Sequence, residues 1–234
     1  MLADLPPAYA ATRESLRALA CFALSPARKA RTGRIGLRAH GGGIATPPFD
    51  DGTRIALRGV DLEAPTGEVV RVTTVAAAAR FLGIEPSSDP GVGHDLPPFE
   101  PDADLQIDAE ASLALGSWYR FAQQALDRLG ETLAAGTELS EAQLWPEHFD
   151  LAAVVAMPVS SEQVNVGFSP GDSFHAEPYV YVGPHDLTGL DRSDPYWNAP
   201  FGAVLRYGEL RQAAEAQAEA LRFIAQGLAR LGSA

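Results

Sequence analysis

Apolar residues recur in this chain with two periods, and the order of those periods constrains the architecture more than any single motif. Between Arg34 and Thr73 they alternate with polar residues, the two-residue repeat of strands with one buried face. On either side they fall at three- and four-residue steps, the repeat of helices with an apolar stripe. No strand-helix-strand rhythm links the two patterns. The expected class is therefore α+β, a mainly antiparallel sheet packed with several helices and ending in a long C-terminal helix.

The first helix runs from Tyr9 to Leu24 on Leu16, Leu19, Ala20 and Ala23, and Ser25-Pro26 ends or kinks it because proline brings no amide hydrogen. A short continuation through Arg31 closes on Gly33 as C-cap. Arg34–Arg38, Ile44–Phe49, Thr53–Leu62 and Glu68–Thr73 read as strands of an antiparallel meander, turned at Gly41–Gly43 and at Pro65-Thr66-Gly67. Thr73 or Thr74 caps an Ala-rich helix to Leu82. Glu85–Asp104, with Pro86, Pro90, Pro97, Pro98 and Pro101, is a long loop. Asp108 then caps a helix carrying Leu115, Trp118, Ala122, Leu126, Leu129 and Leu133, which Gly136 ends. Phe149–Met157 is apolar enough for a central strand, and Val164–Phe168 with Pro178–Val182 forms a hairpin around Ser169-Pro170-Gly171-Asp172. The last helix spans Gly208–Leu231. At 234 residues the whole chain, 1–234, is expected to form one α+β domain.

Composition narrows the function classes. A formal charge of -12 opposes binding to nucleic acid and to anionic lipid, both of which depend on Lys and Arg neutralising phosphates. Arg28, Lys29, Arg31, Arg34 and Arg38 are read as a solvated basic segment. Met1–Ala10 holds no basic n-region and no apolar run approaches the ~20 residues of a membrane span, so the expected location is cytoplasmic. Cys21, the one cysteine, sits among Leu19, Ala20, Phe22 and Leu24 and reads as a buried structural thiol.

Polar chemistry concentrates in Leu144–Asp150, Asn165–Glu177 and Tyr196–Gly202. Trp145, Phe149, Tyr179, Tyr181, Trp197 and Phe201 are candidates to line an apolar pocket, with Glu147, His148 and Asn198 as its polar contacts. Both Trp145 and Trp197 are expected to be largely buried. If His148 and Asp150 lie two apart in a strand they share a face, as do His175 and Glu177, and the four together are a feasible ligand set for a divalent metal. Ser-Pro-Gly-Asp is turn chemistry, and Ser169 lacks a nucleophile elbow. Gly41–Gly43 lacks the remainder of a phosphate-binding loop and is read as a turn.

The strings Gly33–Arg38, Thr46–Phe49, Leu144–Ala152, Ser169–Asp172, His175-x-Glu177-Pro178-Tyr179-x-Tyr181-Val182-Gly183-Pro184 and Trp197–Ala203 resemble, in order and spacing, those of a family of uncharacterised bacterial proteins. The resemblance extends from about Ala11 to Ala203. It implies a recurring layout and no particular activity, cofactor or catalytic residue. Three functional expectations follow from the residues: a small-molecule binding protein or metal-free enzyme with an aromatic-lined pocket in 144–202; a metal-dependent enzyme using His148, Asp150, His175 and Glu177; or a structural, partner-binding protein. No cofactor and no oligomeric state is assigned.

Overall fold

The computed structural model describes residues 2–157 and 163–232, which form two compact units. One comprises 5–120 and 143–150 and is called here the meander unit. The other comprises 2–4, 121–142 and everything described after 150, and is called the large-sheet unit. The α+β class holds for both.

In the meander unit, helix α1 (Tyr9–Leu19) passes into a wide π turn, Ala20–Leu24, and then into α2 (Ser25–Thr32). The expected kink is this π turn. Pro26 has no amide to give and its ring crowds the carbonyl four residues back, and the chain answers by bonding the Ser25 amide to Ala20 O, five residues back. Gly33, at φ 73°, caps α2 by donating its amide to Lys29 O. Five short strands follow: β1 (Arg38–His40), β2 (Gly43–Ala45), β3 (Ala56–Arg58), β4 (Asp61–Glu63) and β5 (Val69–Arg71). They pair in sequence order, all antiparallel, as the alternation required. The stretch expected as one strand, Thr53–Leu62, is divided by a turn at Gly59, whose φ is 58°.

Helix α3 (Val75–Phe81) is capped by Thr74, whose hydroxyl oxygen accepts from the Ala77 amide at 3.1 Å. No helix or strand interrupts the loop before Asp108, whose carboxylate takes the Ala111 amide and starts α4 (Ala109–Thr132). The meander unit holds the first half of α4, where Trp118 and Tyr119 are among the most deeply buried large side chains. Its Gly116 packs directly on the β1–β2 turn: a Cβ there would strike the Gly42 carbonyl. Strand β6 (Glu138–Leu139) belongs to the large-sheet unit. Strand β7 (Gln143–Trp145) belongs to the meander unit, where Leu144 exchanges both main-chain hydrogen bonds with Leu37, at 2.7 and 2.9 Å.

The large-sheet unit is built on β8 (Asp150–Ala156), β9 (Gln163–Ser169), β10 (Tyr179–Pro184) and β11 (Ala203–Arg206), in the order β11-β10-β9-β8-β6. The β9–β10 hairpin was legible; β6, β7 and β11, of two to four residues, were not. Val164, Val166, Phe168, Val180 and Val182 line one sheet face and are wholly buried. The expected final helix is two helices, α5 (Tyr207–Gln212) and α6 (Ala216–Gly232), because Ala213 turns extended at ψ 139°. Helix α6 lies against β10 and β11, and its Gly227 leaves room for the Val182 methyl and the Tyr196 hydroxyl. Trp197 is 7% exposed, as expected, whereas Trp145 is only half-buried. Among the described residues no helix is long and apolar enough to cross a membrane.

Ile224, fully buried on α6, should cost about 2–5 kcal/mol of unfolding free energy when replaced by alanine. Leu113→Ala, at a position 68% exposed on α4, should stay within about 0.5 kcal/mol. Urea denaturation of the two variants checks the assignment of core and surface.

Candidate functional site

The candidate residues divide between the two units. Trp145, Glu147, His148 and Asp150 belong to the meander unit; His175, Glu177, Tyr179, Tyr181, Trp197 and Asn198 belong to the large-sheet unit.

In the meander unit the turn after β7 is held from several sides. The Phe149 amide donates to Trp145 O at 2.7 Å, and Phe149 itself adopts φ 56°, rare for so bulky a residue. Tyr119 keeps it there, donating its hydroxyl to Phe149 O at 2.5 Å and meeting the Phe149 ring edge-on with centroids 5.7 Å apart. Arg17 donates from Nε to Glu147 O at 2.9 Å and from Nη2 to Asp95 O at 2.5 Å. The Glu147 side chain is buried against Gly93, where a Cβ would come within 2.7 Å of the carboxyl group, and its Oε2 has no hydrogen-bond partner among the described residues.

His148 is exposed in this turn and is not part of a strand, and Asp150 is buried at the start of β8. The expected shared strand face is therefore broken by left-handed Phe149, which interrupts the alternation between them. Cys21 donates its thiol to Pro146 O at 3.1 Å. Burial pushes the thiol pKa up to about 12, Arg17 pulling it down and Glu147 and Glu14 pushing it further up. A thiol so placed is a hydrogen-bond donor and no nucleophile.

In the large-sheet unit Tyr179 and Tyr181 point to the same face of β10, opposite to Val180 and Val182. Tyr181 is paired with Gly167 and its ring lies on that glycine, where a Cβ would collide with it. Phe201 completes the layer, 6.2 Å from Tyr181 and 6.4 Å from Tyr179, and Phe174 stacks edge-on against Phe201 at 5.0 Å. Phe174 is 40% exposed. Asp172 organises the loop before β10: its Oδ1 accepts from the Phe174 and His175 amides and its Oδ2 from the Tyr179 hydroxyl at 2.5 Å.

His175 and Glu177 lie in that loop and not in a strand, so the expected sharing of a strand face fails here also. Glu177 is exposed, whereas His175 is half-buried 6.3 Å from Tyr179, its Nε2 shielded from solvent and without a hydrogen-bond partner among the described residues. Asn198 is spent on structure: its amide donates to Val204 O at 3.0 Å and its carbonyl accepts from Val204 N at 2.8 Å, locking the 197–202 loop to β11. Trp197 packs edge-on against Tyr196.

Neither unit by itself supplies three members of the set His148, Asp150, His175 and Glu177. Among the described residues no group of three or more His, Cys, Asp or Glu side chains is gathered to hold a metal ion. Phe201, a sequence candidate, joins Tyr179 and Tyr181 in this layer, and Phe174 is the ring contributor that sequence reading missed. Two concavities of ≈ 410 and ≈ 630 Å³, lined mainly by apolar side chains, contain none of the candidates. No protein family, curated protein or solved structure matches the chain.

Cys21 is expected to resist iodoacetamide at pH 8, reacting at least about a hundredfold more slowly in the native protein than in urea, because the thiolate fraction is cut by both burial and the raised pKa. The sign for stability follows. The unfolded thiol releases its proton near 9.0 and the folded one holds it to about 12, so stability falls as pH rises above about 9. Cys21→Ala should lessen that alkaline loss, measured as urea midpoint against pH.

Proposed function

We propose that this chain is a small-molecule binding protein whose site is the aromatic ledge of Phe174, His175, Tyr179, Tyr181 and Phe201. The observation that carries the reading is His175 Nε2, a shielded nitrogen without a partner among the described residues, at the edge of an aromatic layer whose outermost ring, Phe174, is exposed. A buried polar atom left unpaired costs about 1–3 kcal/mol, and a ligand that pairs with it recovers that cost. The ligand class this favours is a planar aromatic or heterocyclic molecule bearing one N–H or O–H. It stacks beside Phe201 and reaches Nε2 as the Phe174 ring shifts. Of the sequence candidates for this lining, Tyr179, Tyr181 and Phe201 are kept, and Phe174 takes the place of Trp145, Phe149 and Trp197.

Saturation-transfer NMR with indole, 2-naphthol and benzimidazole, each of which carries one N–H or O–H, tests the reading. At least one fragment should bind saturably, and both Phe201→Ala and His175→Gln should weaken it about tenfold while Leu113→Ala leaves it unchanged. Equal binding to the Phe201→Ala protein, or no saturable binding by any of the three, sinks the ledge as a site.

A further inference from the structure

The five-stranded meander carries a second set of side chains that the ledge does not use. Its strands present one apolar face, with Ala39, Ile44, Leu57, Leu62 and Val70, and one polar face. On the polar face the register aligns His40 with Gly43 and Arg58, and Arg38 with Ala45 and Ala56. Glycine and alanine thus make a low floor between long cationic side chains. Ala45 and Ala56 are themselves buried.

The cations converge on the β1–β2 turn. Gly41 and Gly42 take φ values of 56° and 81°, the positive pair that a tight two-residue hairpin needs. The Arg58 guanidinium occupies the space beside Gly41, its Nε 2.9 Å from where a Cβ would stand. Arg120 reaches the same turn from α4, Nη2 lying 3.7 Å from the Cβ position of Gly42. Arg54 Nη1 lies 3.3 Å from His40 Nδ1. Because a guanidinium only donates, Nδ1 is the acceptor and the imidazole proton sits on Nε2.

Three arginines in one place repel one another, and in a chain with 30 acidic residues against 18 basic ones the ordinary remedy is a neighbouring carboxylate. Among the described residues none lies within ion-pair distance of Arg54, Arg58 or Arg120. Asp61 is paired with Arg58 in the register and Glu63 with Ala56, yet neither closes a salt bridge with these arginines. At His40, burial first and then Arg54 and Arg58 hold the pKa below the ordinary histidine value, with Glu63 opposing and Arg38 adding to the depression.

We propose that the Arg54, Arg58 and Arg120 guanidiniums, gathered around the Gly41-Gly42 turn with His40, form a binding site for a phosphate group, either free phosphate or the phosphate of a small monoester. Guanidinium forks match phosphate oxygens in pairs, and the glycine turn lets an anion approach the backbone without meeting a side chain. The surrounding net negative charge makes the site selective for small anions, since a long polyanion would meet the acidic remainder of the surface.

The test is NMR of the intact chain, following the arginine Nε–H and His40 ring signals during titration with inorganic phosphate, with phenyl phosphate, and with sodium chloride at matched ionic strength. Phosphate or phenyl phosphate should saturate, move the Arg54, Arg58 and Arg120 signals together, and raise the His40 titration midpoint, since a bound dianion favours imidazolium. Tighter binding of phenyl phosphate identifies a monoester as the ligand; equal or weaker binding identifies the free anion. Arg54→Gln and Arg58→Gln should each weaken binding at least tenfold with an unchanged melting temperature, while Arg222→Gln, on α6 and paired with Glu219, should have no effect. Chloride reproducing the shifts, unaltered binding by the Arg58→Gln protein, or salt-steep binding of a polyuridine RNA without saturable binding of either small phosphate would overturn the proposal.

Discussion

The left-handed turn at Phe149 is the constraint on which the meander unit's polar arrangement depends. A bulky residue at φ 56° costs about 1–2 kcal/mol relative to a right-handed one, and it persists because its surroundings over-determine it. The Tyr119 hydroxyl takes its carbonyl, the Tyr119 ring packs on its own ring, and its amide closes on Trp145. Once that turn is set, Glu147 is turned inward against Gly93, His148 is left in solvent, and the Glu147 carbonyl is presented to Arg17. Relaxing Phe149 to an ordinary strand conformation would rotate each of these side chains away from its present neighbour.

Close backbone approach is the second organising device, and it recurs in both units. Gly116 lets α4 rest on the Gly42 carbonyl, Gly167 lets the Tyr181 ring lie on β9, and Gly227 admits Val182 and Tyr196 against α6. In each case the missing Cβ is replaced by a larger group from another element, so interior packing is kept at normal density. The aromatic ledge and the arginine cluster both sit at such places. Only there can a ring or a guanidinium lie against main chain.

Sequence reading succeeded where the signal was a repeat and failed where the signal was a contact. The α4 stripe, the Thr74 and Asp108 caps, the Gly33 C-cap and the β9–β10 hairpin are each written in local spacing. Strands β6 and β7 are too short to show alternation, and the break at Ala213–Glu215 lies between two stretches that share one helical period. Asn198 looked like a ligand contact because an amide in an aromatic-rich segment suggests recognition, yet both of its polar ends are consumed by Val204. Arg54, Arg58 and Arg120 are scattered over 67 positions and show no pattern in the linear chain. The two units were equally hidden, because neither is a continuous segment.

The α+β class, the antiparallel meander, the capped helix of Asp108 and the inert character of Cys21 were thus determined by the sequence itself, since each depends on periodicity or composition within a few residues. Tertiary structure alone decided that Phe149 turns left-handed, that Phe174 joins Tyr179, Tyr181 and Phe201, and that arginines from the meander and α4, without a carboxylate partner among the described residues, lie around a glycine turn. These outcomes depend on which residues distant in sequence come within a few ångströms, and that is settled by packing and strand register, neither of which leaves a repeat in the chain to be read.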